Sequence, residues 1–495
     1  MKKALILLIV FSPLIFLIVL GIGRGYNSNF CTVPYKVSTV EDLYAFDDLS
    51  EFKAGFYREV KLVDDLDFSG VEYVTQSLED MPLNGNGHSI KNISITTYDT
   101  FEGLFTKVKY IHDLTIENLT INSYQKGGEL SVFNKYTKEY RNVKVSGEIN
   151  IPYVDYFGCF QGMHDKHTQS HRFDGCDVSL EINGGSVVGG FIGANIEVPA
   201  SYNTTVFVDC TSNCEINAQK YAGGFMAQIN KASSGDYSVT FNNCTNNGDI
   251  SSQGISGGIV GEIGQRLYSV SIKNCTNNGV VSGSCKVGGI VGIQYAEIVN
   301  CTNNGTVYAT SPSTDNEARI GGISGLQNRG IIANCVNNAN IKSEFNMIGG
   351  IVGEANANVV GNVNNGDITG NAIVGGIVGI SYAEISIVGC KNYGDIEASA
   401  AVGGIIGAVG MDLSPSINNN GQGIFSWLFE SIFPHEYYFD IYTCENEGDI
   451  TADTYAGGIA GIAASKAFKG DISLTNISEG NLNSAYPASR YANIE

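Results

Sequence analysis

From about Tyr156 to the C-terminus, apolar and polar positions follow one pattern that returns every few tens of residues. Its apolar runs are short and β-branched and are broken by Gly and Asn, as in Ile-Val-Gly, Ala-Glu-Ile-Val and Asp-Ile-x-x. That is the composition of strands, not helices. A helical repeat would place apolar residues three and four apart over about ten positions, and no unit does. The stretch Lys286–Gly305, KVGGIVGIQYAEIVNCTNNG, shows the unit most plainly.

Two landmarks define it. A Gly-Gly-Φ-x-Gly strand, with Φ apolar, recurs nine times from Val187–Gly193 to Tyr455–Gly461. An Asn-Cys-x-Asn-x-Gly turn is centred on Cys176, Cys210, Cys244, Cys275, Cys301, Cys335, Cys390 and Cys444, with Asn362 once in place of Cys. From the Cys position to the next Gly-Gly the count is 13 in seven of nine intervals; Cys301 to Gly321 (20) and Cys335 to Gly349 (14) are the exceptions. From Gly-Gly to the next Cys it varies from 13 (Gly288 to Cys301) to 41 (Gly403 to Cys444). One arm is rigid, and the other absorbs insertions.

Cysteines 26 to 34 residues apart between Cys210 and Cys335, with three short strands per unit, predict one coil of a stacked solenoid. The fold expected is all-β: a right-handed parallel β-helix with a short N-terminal α-helical cap. Each strand pairs with its copy about 4.8 Å along the axis. Ile290, Ile323, Ile351, Ile377 and Ile405 then form one inward column, and the cysteines form another. Asn303, Asn337, Asn364 and Asn446 bond along the axis as amide ladders do. Gly at the paired positions is read as supplying backbone geometry closed to other residues.

The N-terminal part reads differently. Lys2 and Lys3 precede an apolar run from Ala4 to Leu20, the layout of a signal peptide or membrane anchor. Ser38-Thr39-Val40-Glu41 has the capping-box pattern and opens a short helix to about Leu49. The chain divides into an export segment or anchor at 1–25, a cap and first coils at 26–125, and β-helix repeats at 126–480. A long insertion at 409–440 interrupts the repeats, and a tail follows at 481–495.

Several stretches carry a family resemblance. They are Val40-Glu41-Asp42-Leu43, Leu62-Val63-Asp64-Asp65-Leu66-Asp67-Phe68, Gly85-Asn86-Gly87-His88-Ser89-Ile90 and Gly103-Leu104-Phe105. This order resembles the opening of bacterial surface proteins with GLUG-type repeats. It is also similar to the non-catalytic N-terminal region of immunoglobulin A1-cleaving metallopeptidases. The detailed resemblance spans about residues 35 to 125 and extends more loosely to about 465. It implies an extracellular β-helical stalk or adhesin-like surface. It carries over no catalytic residue, because the His-Glu-x-x-His of those peptidases is absent from the sequence.

Composition adds exclusions. Gly is abundant (61) and Pro scarce (9), which suits many tight turns. The formal charge of −21 repels phosphate backbones and argues against nucleic acid as a partner.

Candidate chemistry is sparse. His164, Asp165, His167 and His171 lie within eight residues and carry ligand types for zinc, copper or nickel; an exposed polar loop collects the same residues. The eight cysteines at one repeat phase read as buried thiols, since parallel vectors rarely meet the disulfide dihedral. Asp249, Asp367, Asp395 and Asp449 form an exposed acidic row. No nucleophile elbow, triad or paired carboxylates within one coil are visible, and Arg266, Arg319 and Arg329 stand apart, so no catalytic residue and no cofactor is expected. In the insertion, Phe425, Trp427, Leu428, Phe429 and Phe433 read as a contact surface for a partner or as a helix lying on the solenoid. The function expected is an exported, non-enzymatic cell-surface module, adhesin-like or a stalk. Its partner would be an unknown surface protein or glycan, and the N-terminal segment would engage the membrane if uncleaved. The alternative is a polysaccharide-processing β-helix enzyme, a lyase or glycoside hydrolase.

Overall fold

The computed structural model describes residues 33–47, 57–164, 170–195, 204–230, 238–264, 269–310, 318–344, 347–409, 439–463 and 482–484. They form a right-handed parallel β-helix, in which every strand pairing among the described residues is parallel. Four sheets run along the axis. The first has 14 strands, from Tyr35–Val37 to Phe439–Tyr442; the third, built on the Gly-Gly landmark, has 11; the fourth has 10. At the strand spacing, fourteen rungs extend about 60 Å.

The second sheet forks. Thr115–Ser123 pairs with both Ser89–Lys91 and Ser94–Thr97. Asp177–Gly184 pairs with both Thr211–Ser212 and Glu215–Ala218. Between them the long strands are continuous; beyond, each coil carries two short ladders there. A coil of the repeat therefore has five short strands, not the three expected from the sequence. The miscount comes from the Gly-Gly landmark, which is a corner and not one strand. Arg319–Gly321 closes the third sheet, Ser324–Gln327 opens the fourth, and Gly322 and Ile323 turn between them.

The apolar residue of that corner points inward. Ile290, Ile323, Ile351, Ile377 and Ile405 are fully buried. The N–H of each of the first four donates to the carbonyl of the next at 2.9–3.0 Å. Phe160, Phe191, Phe225 and Ile259 continue the column toward the N-terminus through the same bonds. A second column of Tyr140, Phe173, Phe207 and Phe241 stacks with centroids 5.4, 4.8 and 4.7 Å apart. Strand spacing sets that ring separation. It falls in the favourable range for offset-stacked rings.

Glycines at the corner serve close approach, which corrects the expectation that they supply unusual dihedrals. None of the landmark pairs has a positive φ. Instead, a Cβ on Gly350 or Gly376 would lie 2.5 Å from Cγ of Asn364 or Asn392. A Cβ on Gly353 would lie 2.5 Å from the Ile320 nitrogen, so the fourth sheet rests against the backbone of the third. Two small apolar clusters outside the main core fill that crease, Val187 with Ala194 and Ala227, and Met347 with Ile373, Ile380, Ala401 and Ala408.

Left-handed residues occur at the other landmark. The residue before each Cys position has a positive φ: Gly175 (59°), Asp209 (52°), Asn243 (57°), Asn274 (54°), Asn300 (55°), Asn334 (53°), Gly361 (64°), Gly389 (61°) and Thr443 (50°). Asn and Gly tolerate that conformation best, hence the Asn-Cys sequence. Two residues past Cys, the buried amides of Asn246, Asn277, Asn303, Asn337, Asn364, Asn392 and Asn446 form a continuous ladder. Each Nδ2 but the last donates to the next Oδ1 at 2.7–2.8 Å.

At the N-terminal end, the helix Val40–Asp47 buries Leu43 and Phe46 and sets Phe46 edge-on to Tyr35 at 4.9 Å. Its capping box is shifted by one residue from the sequence reading. The Thr39 hydroxyl accepts from the Asp42 N–H (3.2 Å), and the Asp42 carboxylate accepts from the N–H groups of Ser38 and Thr39 (3.0 and 3.1 Å). The Ser38 hydroxyl, which donates to the same carboxylate at 2.7 Å, and then these N–H groups hold the Asp42 carboxyl below its usual range.

Candidate interaction surface

Length variation is confined mainly to one corner, where the fourth sheet leads into the first. There, Gln294 and Glu297 are separated by two residues, Ala355 and Val359 by three, and Val409 and Phe439 by the 29 residues 410–438. The 20- and 14-residue exceptions of the rigid arm fall at the corner between the second and third sheets, before Arg319 and Met347. All other turns are fixed by the ladders.

Exposed aromatics concentrate in the first coils. Tyr98, Tyr124 and Tyr153 are 72, 45 and 57 % exposed. Tyr98 and Tyr124 stack at 5.2 Å. The Tyr124 N–H donates to Thr97, and the Tyr153 carbonyl accepts from Gly127, so the three leave one corner in successive coils. No sequence periodicity marks them, because they lie ahead of the regular repeat.

Charge also forms columns. Glu148, Glu181 and Glu215 stand directly in register on one outer face. The Asn150 and Asn183 amides donate to Glu148 and Glu181 at 2.7 and 3.1 Å. A search within single coils misses this set; stacking across coils creates it. The acidic row has a structural use: the Asp249, Asp367 and Asp395 carboxylates accept the N–H of Val280, Asp395 and Asp449 at 2.8, 3.1 and 2.9 Å. Arg319, which stands apart in the sequence, pairs in the crease with Glu354 one coil on, both largely buried.

Of the four residues considered for metal, Asp165 and His167 lie outside the described residues, and only the backbone of His164 is described. His171 is buried, its ring 6.3 Å from Phe173. Burial pushes its pKa down to about 4. Among the described residues, no group of three or more His, Cys, Asp or Glu is placed to hold a metal ion. The aromatic insertion with Phe425, Trp427, Leu428, Phe429 and Phe433 also lies outside the described residues, as does the apolar segment 1–25. Among the described residues, no helix is long and apolar enough to cross a membrane.

The cysteines at the repeat phase occupy equivalent corners, and all the described ones are free thiols. Cys176, Cys301, Cys335, Cys390 and Cys444 each donate to a first-sheet carbonyl of the preceding coil, at 3.4–3.8 Å. The Cys301 N–H donates to Cys335 Sγ at 3.4 Å. Asn362 does both jobs: its Oδ1 accepts from the Cys335 N–H (2.8 Å) and its Nδ2 donates to the Ile332 carbonyl (2.9 Å). That equivalence explains how an amide replaces a thiol once in the column.

Comparison with known proteins supplies the remaining findings. A comparison with curated sequences finds no match. A crystal structure of a "putative immunoglobulin A1 protease" from Bacteroides ovatus is similar, with TM-score 0.37 and 17% identity over 63% of this chain and 84% of that one. Residues 283–308 match the family model of the GLUG motif. That match falls on the regular repeat and not on residues 35–125, where the sequence resemblance is most detailed, and it makes this chain one that carries a GLUG motif.

Proposed function

We propose that the chain is an exported, non-enzymatic surface protein whose β-helix serves as a stalk or adhesin-like binding module for a surface protein or glycan. One observation carries this reading: the chain length varies chiefly at one corner, and less at a second, of a scaffold whose remaining turns are held by ladders. Such a corner presents variable loops on a rigid support, the usual division between scaffold and contact residues. The GLUG motif and the β-helix are not catalytic in themselves. The insertion residues Phe425, Trp427, Leu428, Phe429 and Phe433 and the exposed Tyr98, Tyr124 and Tyr153 are the first contact groups to change.

The test is a panel of glycans and surface proteins presented to the purified full chain. Retention without turnover, lost when the loops or these aromatics are replaced, supports the module. Turnover of a polysaccharide replaces it with an enzyme, and neither outcome leaves a plain spacer.

A further inference from the structure

An outer amide column runs beside the buried one, through Asn213, Asn247, Asn278, Asn304, Asn338 and Asn365. From Asn247 onward, each Nδ2 donates to the Oδ1 of the member before it at 2.7 or 2.8 Å. Asn247, Asn278, Asn304 and Asn338 thus both donate and accept. Asn365 only donates, because Tyr393 holds the next place in the column and has no amide to offer. All members from Asn247 onward are exposed.

Four of these residues precede glycine: Asn247-Gly248, Asn278-Gly279, Asn304-Gly305 and Asn365-Gly366. The coil favours that glycine. A Cβ at 248, 279, 305 or 366 would collide with the carbonyl oxygen of Cys214, Gly248, Gly279 or Ala339. The fold therefore sets, next to each of these four exposed amides, the residue least able to shield its peptide nitrogen from that amide.

We infer that Asn365-Gly366 is a site of spontaneous deamidation, favoured over the other three Asn-Gly pairs of the column. The Gly366 nitrogen loses its proton and bonds to Asn365 Cγ, the Cγ–Nδ2 bond breaks, and ammonia leaves. Water then opens the resulting succinimide at either C–N bond, giving aspartate or isoaspartate. The attack requires the side chain to turn off the column. An interior amide must release two column bonds to do so, and Asn365 must release one. The aspartate product adds a negative charge two residues from Asp367. The isoaspartate product adds a main-chain carbon to an arm whose 13-residue length is otherwise kept.

The test is peptide mapping by mass spectrometry of the purified full chain, aged at mildly alkaline pH and body temperature. Asn365 should gain one mass unit about fivefold faster than Asn247, Asn278 or Asn304, the factor that one net hydrogen bond gives. Tyr393→Asn supplies the missing donor and should slow Asn365 to the rate of Asn304, with thermal melting confirming the fold. Equal rates at the four sites in the parent overturn the proposal by themselves. So does a folded Tyr393→Asn protein in which Asn365 still ages at the parental rate.

Discussion

A Cβ on Gly350 would stand 2.5 Å from Cγ of Asn364, one coil further along the chain. This contact ties the two landmarks together. From Gly224 to Gly404, the second glycine of the corner leaves the space that the buried amide of the Asn turn occupies, and the same pairing joins Gly376 to Asn392 and Gly404 to Asn446.

Gly350→Ala should therefore cost about 3 kcal/mol or prevent folding, since a well-packed interior gives little way to an added methyl. Gly458 holds the same place in the last described corner, where no described residue comes within 4 Å of its would-be Cβ, so Gly458→Ala should cost less. Asn364→Ala should cost about 2–3 kcal/mol, because it orphans buried amide groups on both neighbours. Urea unfolding of the three variants checks the ranking. An equal effect of the two Gly→Ala changes would refute the packing account.

Five of the buried thiols should be silent in the native protein. Burial holds Cys159 and Cys176 well above the usual thiol range and pushes Cys214 up to about 11, and thiolate is the reactive form. Cys275 rises through its side-chain bonds to Cys244 and then Cys301, and Cys335 through its bond to Cys301. A thiol-disulfide reagent at pH near 8 should label these five only after denaturation. Rapid native labelling of Cys214 would mean that its corner is open.

His171 gives a pH dependence of definite sign. Its folded pKa lies at about 4, below the ordinary histidine value of 6.5, chiefly through burial, so between those values the unfolded chain binds the proton and the folded chain does not. Stability is complete above pH 6.5 and falls as pH drops toward 4, by about 3 kcal/mol in total for this one group. His171→Phe should flatten that segment of the stability profile. An unchanged profile would assign the acid sensitivity elsewhere.

Thr443 carries a φ of 50° at a corner where other coils place Asn, Asp or Gly. A β-branched residue is strained there by about 1–2 kcal/mol. Thr443→Gly should stabilise the C-terminal coils by about 1 kcal/mol after the entropy of the added glycine is subtracted, and Thr443→Asn by less. A lowered melting temperature for Thr443→Gly would show that the threonine side chain has contacts worth more than the strain.

The repeat, its strand character, the inward isoleucines and the amide ladder were legible because each depends on residues at fixed offsets along the chain. A period is a one-dimensional property, and stacking only copies it. Even the rigid arm could be read from the 13-residue count, although its cause, the meeting of Gly350 and Asn364, could not.

What the tertiary structure alone decided is what lies side by side in different coils or across a corner. Only stacking sets Glu148, Glu181 and Glu215 in one line, brings Arg319 to Glu354, and leaves Asn365 at the end of its column. Variable loops between landmarks shift the sequence distance of such pairs from coil to coil, so no fixed spacing announces them. The corner role of the Gly-Gly pair was hidden for a related reason. Close backbone approach and an unusual φ both select glycine, and only coordinates tell which of the two is at work.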